Sequence, residues 1–261
     1  MSWIDLPSGR IEVDDIPAPV GEAADPLVLL HEGLGSVRLW KDFPARLGRA
    51  TGRRVVSYSR YGYGTSATVA LPRPVGYMHE EADRVLPLVL DRMGIDRPVL
   101  VGHSDGASIA LLYAGRRRPV SAIVAMAPHA FVEDCTVRGA LAARAAYQDG
   151  PLRGRLARYH DDVDTAFYGW NDIWLDPAFR GWSIEDRLPA VSAPVLLVQC
   201  RDDPYGTMEQ LDRIEAAVRG PVERLVMDEG GHAPHAADPD RVLSAIAGFI
   251  GLSPCAGPRR P

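Results

Sequence analysis

A serine between glycines, a pair of aspartates and a histidine occur in this chain in an order that nucleophilic catalysis can use. Gly102-His103-Ser104-Asp105-Gly106 follows the apolar run at 98–101 and precedes a helical pattern at 107–114. A serine hydroxyl is a poor nucleophile at neutral pH. It needs a neighbouring base, a fixed place clear of the backbone, and donors for the charge that develops on an attacked carbonyl. G-x-S-x-G between a strand and a helix supplies the place. The turn is tight, so the residues two before and two after the serine must be small. The helix that begins there aims N–H groups and the positive end of its dipole at the reacting atom. Further on, Asp228-Glu229-Gly230-Gly231-His232 follows the apolar run at 222–227, and Cys200-Arg201-Asp202-Asp203-Pro204 follows the run at 194–199. The order serine, acid, histidine is one in which triads occur. His232 would take the Ser104 proton and return it to a leaving group, and the aspartate would hold the imidazole tautomer and stabilise the imidazolium. The run at 26–31 leads into Glu32-Gly33-Leu34-Gly35-Ser36, a loop of mostly small residues suited to exposing a backbone N–H. That N–H and the one on Asp105 are the candidate oxyanion donors. Activity should rise with pH along one limb at about pH 6–7, because the imidazole must be neutral to act as a base.

These groups can meet only if several strand ends lie side by side. Short apolar runs at 26–31, 54–58, 98–102, 120–126, 194–199 and 222–227 have the length and Val/Leu/Ile content of buried parallel strands. Helical patterns at 39–50, 78–93, 107–114, 208–218 and 241–250 separate most of them. Such alternation predicts an α/β fold with a doubly wound, mostly parallel sheet, whose loops meet above the carboxyl edge. Residues 2–16 alternate apolar and polar around Pro7-Ser8-Gly9, the signature of a hairpin. The alternation of strands and helices breaks at 128–189, which holds helical stretches such as 139–147 together with Trp170, Trp174 and Trp182. We read an inserted helical cap there, a core domain over 1–127 and 190–250, and a flexible tail over 251–261. The three tryptophans could line an apolar pocket, although the spacing of 170 and 174 equally fits packing along one helix face.

With the motifs in place, the chain resembles the α/β-hydrolase superfamily over roughly residues 26–250. The resemblance rests on His31-Glu32-Gly33-Leu34-Gly35, Arg60-Tyr61-Gly62-Tyr63-Gly64-Thr65-Ser66, the Gly102–Gly106 elbow, Cys200-Arg201-Asp202-Asp203, and Gly231-His232-Ala233-Pro234-His235 with Pro239. It implies a sheet of the α/β-hydrolase type with a helical cap and a triad of Ser104, Asp203 and His232. It also implies an oxyanion hole from the N–H of Asp105 and that of Gly33 or Leu34. Glu32 departs from the glycine that is common at its position, and Cys200 from another. Asp202 stays open as the acid, and His129, Glu133 and Asp134 rank below both. Serine at the elbow separates the chain from the dehalogenases and epoxide hydrolases of this superfamily, which use aspartate there. The implied activity is hydrolysis of a small carboxylic ester or lactone. The alternatives are a carbon–carbon bond hydrolase of ring-cleavage dienoates, although Ala233 and Pro234 replace the tryptophan usual after its histidine, and a non-catalytic ligand-binding member.

Composition narrows the partners. A net charge of −5 and a single basic run, Arg116-Arg117-Arg118, give no footprint for nucleic acid. The run follows a helical pattern and suits a helix C-terminus. Three widely spaced cysteines without CxxC fit neither a disulfide framework nor a zinc site. No stretch approaches the length of a membrane span, and the N-terminus lacks the pattern of a signal peptide. A cytoplasmic enzyme acting on a small molecule is the expectation. Gly62–Ala67 matches G-x-G-x-x-A, but no helix start follows it, so no dinucleotide is expected. The acids after His160 lack the glycine of a calcium loop, and His232 and His235 lack a third ligand nearby. No cofactor or metal is expected, and His235 reads as a hydrogen-bonding neighbour of the triad.

Overall fold

The β-branched and leucine-rich runs become strands because they can be buried on both faces at once. The computed structural model of the 261-residue chain describes residues 2–19 and 24–252. It begins with the hairpin β1 (Ser2–Leu6) and β2 (Gly9–Ile16). There follow β3 (Leu27–Leu30), α1 (Phe43–Thr51), β4 (Val55–Tyr58), α2 (Tyr77–Glu80), α3 (Leu86–Arg92), β5 (Val99–His103), α4 (Asp105–Ala114) and β6 (Ala122–Met126). The interval before the next strand is helical, with α5 (Asp134–Gln148), α6 (Leu152–Leu156) and α7 (Val163–Leu175). The chain then returns with β7 (Val195–Cys200), α8 (Glu209–Ala217), β8 (Val222–Met227), α9 (Pro234–Ala237) and α10 (Pro239–Leu252). The last segment of the expected tail, 253–261, lies outside the described residues.

The eight strands form one sheet in the order β1-β2-β4-β3-β5-β6-β7-β8. The hairpin is antiparallel, and β2 joins β4 antiparallel, while β3 to β8 are parallel. Side chains alternate across the sheet, so Val28 and Leu30 enter the core on one face, and Leu27 and Leu29 the core on the other. Strand β8 is an edge, and its Glu223 and Arg224 are exposed, which discourages pairing with another chain. The order reverses between β3 and β5, and a crevice forms at such a point beyond the carboxyl ends of the strands.

Two helices differ from the sequence reading for local reasons. The pattern at 39–50 splits into a 3-10 turn (Val37–Trp40) and α1, because Pro44 lacks an N–H and fits a first helical turn better than an interior. The pattern at 78–93 is helical throughout, but a π-helical turn (Glu81–Val85) joins α2 to α3 just before Pro87. Within the insertion, extended pairing among the described residues is limited to a single bridge between Phe131 and Ser183.

Candidate active site

Strand β5 delivers the serine. Its last residues run straight into α4, and Ser104 at the junction has φ 52° and ψ −117°, a conformation costly for a residue with a side chain. The turn closes only because glycine stands on each side. A Cβ on Gly102 would lie 2.3 Å from the Gly106 carbonyl oxygen, and one on Gly106 would lie 2.0 Å from that of Leu30. The elbow is thereby pressed against the end of β3, which brings the Glu32–Gly35 loop beside the serine.

The loops after β7 and β8 bring the other two groups. His232 Nε2 lies 2.8 Å from Ser104 Oγ, and Nδ1 lies 2.8 and 2.9 Å from the two oxygens of Asp203. Two further donors fix the Asp203 carboxylate: the Tyr205 N–H at 2.8 Å and the Gln199 amide at 2.9 Å. Burial raises the pKa of Asp203, but the His232 hydrogen bond and charge outweigh it and hold the carboxyl below its ordinary range. Asp202 points the other way. Its exposed carboxylate accepts the N–H groups of Gly230 (3.2 Å) and Gly231 (2.8 Å). The two aspartates divide the work: one holds the imidazole, the other holds the backbone that carries it. The rings of Tyr205 and His129 lie tilted against the His232 ring at 4.7 and 5.7 Å, and burial pushes His129 down to about 4, so it stays neutral.

The loop after β3 is pinned from within. The Glu32 carbonyl accepts from His31 Nδ1 (2.6 Å), Arg60 Nη2 (2.8 Å) and the Gly35 N–H (3.1 Å). A carbonyl can only accept, so Nδ1 of His31 carries the proton, and its Nε2 receives the Arg60 N–H at 3.0 Å. Arg60 also reaches the Asp105 carboxylate at 3.3 Å, with side-chain exposures of 2% and 0%. The same carboxylate accepts from Tyr77 Oη (2.7 Å), which accepts in turn from the Trp174 indole (3.1 Å). One buried chain of polar groups therefore links the insertion, the elbow and the Glu32 loop. Trp170 seals the arrangement, since a Cβ on Gly33 would meet its ring at 2.1 Å.

Ser104 and His232 open into a cavity of about 150 Å³ whose wall includes Gly33, Leu34, Trp170, Trp174, Thr136 and Tyr205. A larger cavity, about 280 Å³, lies on the far side of Glu32 and His103 and does not reach Ser104. A Glu32 oxygen and ring nitrogens of His103 and His232 lie within 4.8 Å of one another. Both nitrogens of His232 are engaged by Asp203 and Ser104, and Nε2 of His103 donates to the His232 carbonyl at 2.6 Å. That leaves Nδ1 of His103 and the Glu32 carboxylate, two ligands where a metal site usually takes three or four from the protein.

Such an elbow and triad on such a sheet match a known family, and the sequence matches the alpha/beta hydrolase family over residues 27–245. The chain belongs to the alpha/beta hydrolase family. Its triad, Ser104-His232-Asp203, is of the serine-hydrolase type. The chain is 33% identical over 96 residues to the proline iminopeptidase of Lactobacillus delbrueckii subsp. lactis, a match covering 36% of this chain and 33% of that one. The chain thus spans about a third of the length of that relative. It is 29% identical to RutD of Klebsiella pneumoniae, provisionally named a carbamate hydrolase, over 92% of this chain and 97% of RutD. Among solved alpha/beta hydrolase folds it is similar to the proline iminopeptidase of Mycobacterium smegmatis, with TM-score 0.76, 21% identity, and 97% and 98% of the two chains covered. It is also similar to the enol-lactonase of Burkholderia xenovorans LB400, with TM-score 0.74, 17% identity, and 96% and 100% covered.

Other acids considered from the alpha/beta hydrolase pattern serve the scaffold. Glu133 accepts from Thr207 and Gln210, and Asp134 pairs with Arg180 at the surface. Asp162 caps α7 through the Thr165 N–H, and Asp164 pairs with Arg153, which accounts for the acidic run after His160. His160 itself donates to the Leu34 carbonyl at 2.9 Å, a second brace on the Glu32 loop. His235 is packed against Trp40, Phe43 and His103 instead of hydrogen-bonding near the triad, and its buried Nδ1 has no partner. The sequence reading missed Arg60 and Tyr77 as supports. Arg60 stood in a quoted motif, but its two contacts come from distant segments. No helix of the described residues is long and apolar enough to cross a membrane.

Proposed function

We propose that this protein hydrolyses small carboxylic esters or lactones through an acyl-enzyme on Ser104. The observation that carries the reading is the chain of contacts from Asp203 through His232 to Ser104 Oγ, at 2.8 Å for each step, beside a small cavity. His232 Nε2 accepts the hydroxyl proton as Oγ bonds to the substrate carbonyl carbon, and Asp203 stabilises the imidazolium. The carbonyl oxygen becomes an oxyanion held by two backbone donors. One is the N–H of Asp105, the first residue of α4. The other is the N–H of Gly33. Three donors hold the Glu32 carbonyl toward the protein, and in a trans peptide the next N–H points the opposite way. That supports Gly33 over Leu34. The imidazolium then protonates the departing alcohol. Water attacks the acyl-enzyme with His232 again as base, and the acid leaves.

The likeness to RutD brings carbamates into the substrate screen, and the fold shared with the enol-lactonase brings lactones. The test is labelling with a fluorophosphonate, located by mass spectrometry, beside turnover of p-nitrophenyl esters of rising acyl length, lactones, a carbamate and a ring-cleavage dienoate. Ser104 should be the labelled residue. Ser104→Ala should abolish labelling and turnover while the protein stays folded. Labelling elsewhere, or turnover retained by Ser104→Ala, would refute the assignment. Preference for the dienoate over every ester and lactone would replace the bond cleaved.

A further inference from the structure

Glu32 puts a carboxylate where this chemistry has no use for one. A Glu32 oxygen lies within 4.8 Å of a His232 ring nitrogen and 3.9 Å from Nδ1 of His103. Its backbone carbonyl is part of the pinned loop, but its side chain is 29% exposed and lines the catalytic cavity. Among the described residues no Lys or Arg lies within 4 Å of its carboxylate, and the wall of that cavity contains no Lys or Arg. Of the two rings beside it, His103 is pushed toward its neutral form by burial, and His232 carries a charge only while it holds the Ser104 proton, a charge that Asp203 already faces. An oxyanion held by the Gly33 N–H would form one residue away from this charge, and a neutral ester would develop negative charge against it. A positive charge on the substrate reverses the sign of that interaction.

The rest of the cavity suits such a charge. Trp170, Trp174 and Tyr205 present aromatic rings in the same wall, and aromatic faces attract ammonium groups. Resting on the hydrolase reading above, we propose that Glu32 and this aromatic wall select substrates that carry an ammonium group a few bonds from the scissile carbonyl. The volume of about 150 Å³ favours compact molecules over long acyl chains.

Isosteric pairs test the charge alone. Methyl glycinate is compared with methyl propionate, and acetylcholine with 3,3-dimethylbutyl acetate, for cation on the acyl and alcohol sides. The wild-type protein should prefer the cationic member of at least one pair in kcat/KM, and E32Q should lower that preference about tenfold or more. A binding readout that needs no turnover accompanies this: the rate of fluorophosphonate labelling of Ser104 with tetramethylammonium as competitor. The ion should slow labelling of the wild type and lose that effect in E32Q. An unchanged preference and equal protection in E32Q, with Ser104 still labelled, would overturn the role of Glu32 and leave the hydrolase reading standing. Failure of Ser104 to label at all would sink both.

Discussion

Asp105→Asn probes the buried pair that ties the elbow to the Glu32 loop. The substitution keeps the shape and one acceptor for Arg60 and Tyr77 but removes the charge. The guanidinium of Arg60, 2% exposed, then lies in the interior with no counter-charge at its former 3.3 Å distance. Breaking a buried pair in this way costs about 3–5 kcal/mol, and the retained acceptor puts the change near the lower end, about 3 kcal/mol. For a chain of this size that corresponds to a fall in Tm of roughly 6–12 °C, read by circular dichroism on heating. The double variant Arg60→Met/Asp105→Leu should recover part of the Tm, because no unpaired charge is left in the interior, while the Tyr77 hydroxyl loses its acceptor. Its kcat should stay low, since the Glu32 carbonyl loses the Arg60 donor at 2.8 Å. A shift of Tm under about 1 °C in Asp105→Asn would refute the view that Asp105 compensates the buried charge of Arg60. Full activity in the double variant would refute the bracing role of Arg60.

Other outcomes follow from the same geometry. If the Gly33 N–H is the oxyanion donor proposed above, Gly33→Ala should drop kcat by about a hundredfold or more with a smaller change in KM, because its Cβ needs room now filled by Trp170 and would displace that N–H; an unchanged kcat in ester assays would count against Gly33. Asp203→Asn should cost roughly a thousandfold or more in kcat by favouring the wrong imidazole tautomer. Asp202→Asn, which keeps one acceptor for the Gly230–Gly231 backbone, should cost under about tenfold, or about 1 kcal/mol. The reverse ranking in steady-state kinetics would reassign the acid. Stability should fall on acidification from pH 7 to 5. His129 titrates near 4 folded but near the ordinary histidine range unfolded, so the unfolded chain takes up its proton first. That stability is present above about pH 6.5 and is lost toward pH 4, by about 2 kcal/mol at pH 5 for this group. Burial depresses His31, His103 and His235 in the same direction. A Tm that is flat between pH 7 and 5 would show that these rings are not buried neutral.

The catalytic groups were legible because their chemistry constrains local sequence. Gly102 and Gly106 are small for a steric reason that a motif can carry, and β5, β7 and β8 are short valine- and leucine-bearing runs, β5 ending at the residue before Ser104 and the other two leading into the loops that carry Asp203 and His232. The supports were not legible. Arg60, Tyr77, Asp105 and Trp174 come from four segments, and nothing in the spacing of those residues says that their polar atoms meet. Asp202 illustrates the same limit. Its neighbour's role was implied by the family resemblance, whereas its own partners are two backbone N–H groups 28 and 29 residues away. Helices were interrupted against the sequence pattern at Pro44 and Pro87, where proline alters the hydrogen bonding.

Trp170 rests where a side chain on Gly33 would be, so the insertion and the Glu32 loop fill one another's space beside Ser104. The wall of the catalytic cavity is thus shared by two segments that cannot be resized independently: bulk added at position 33 has to be removed at position 170.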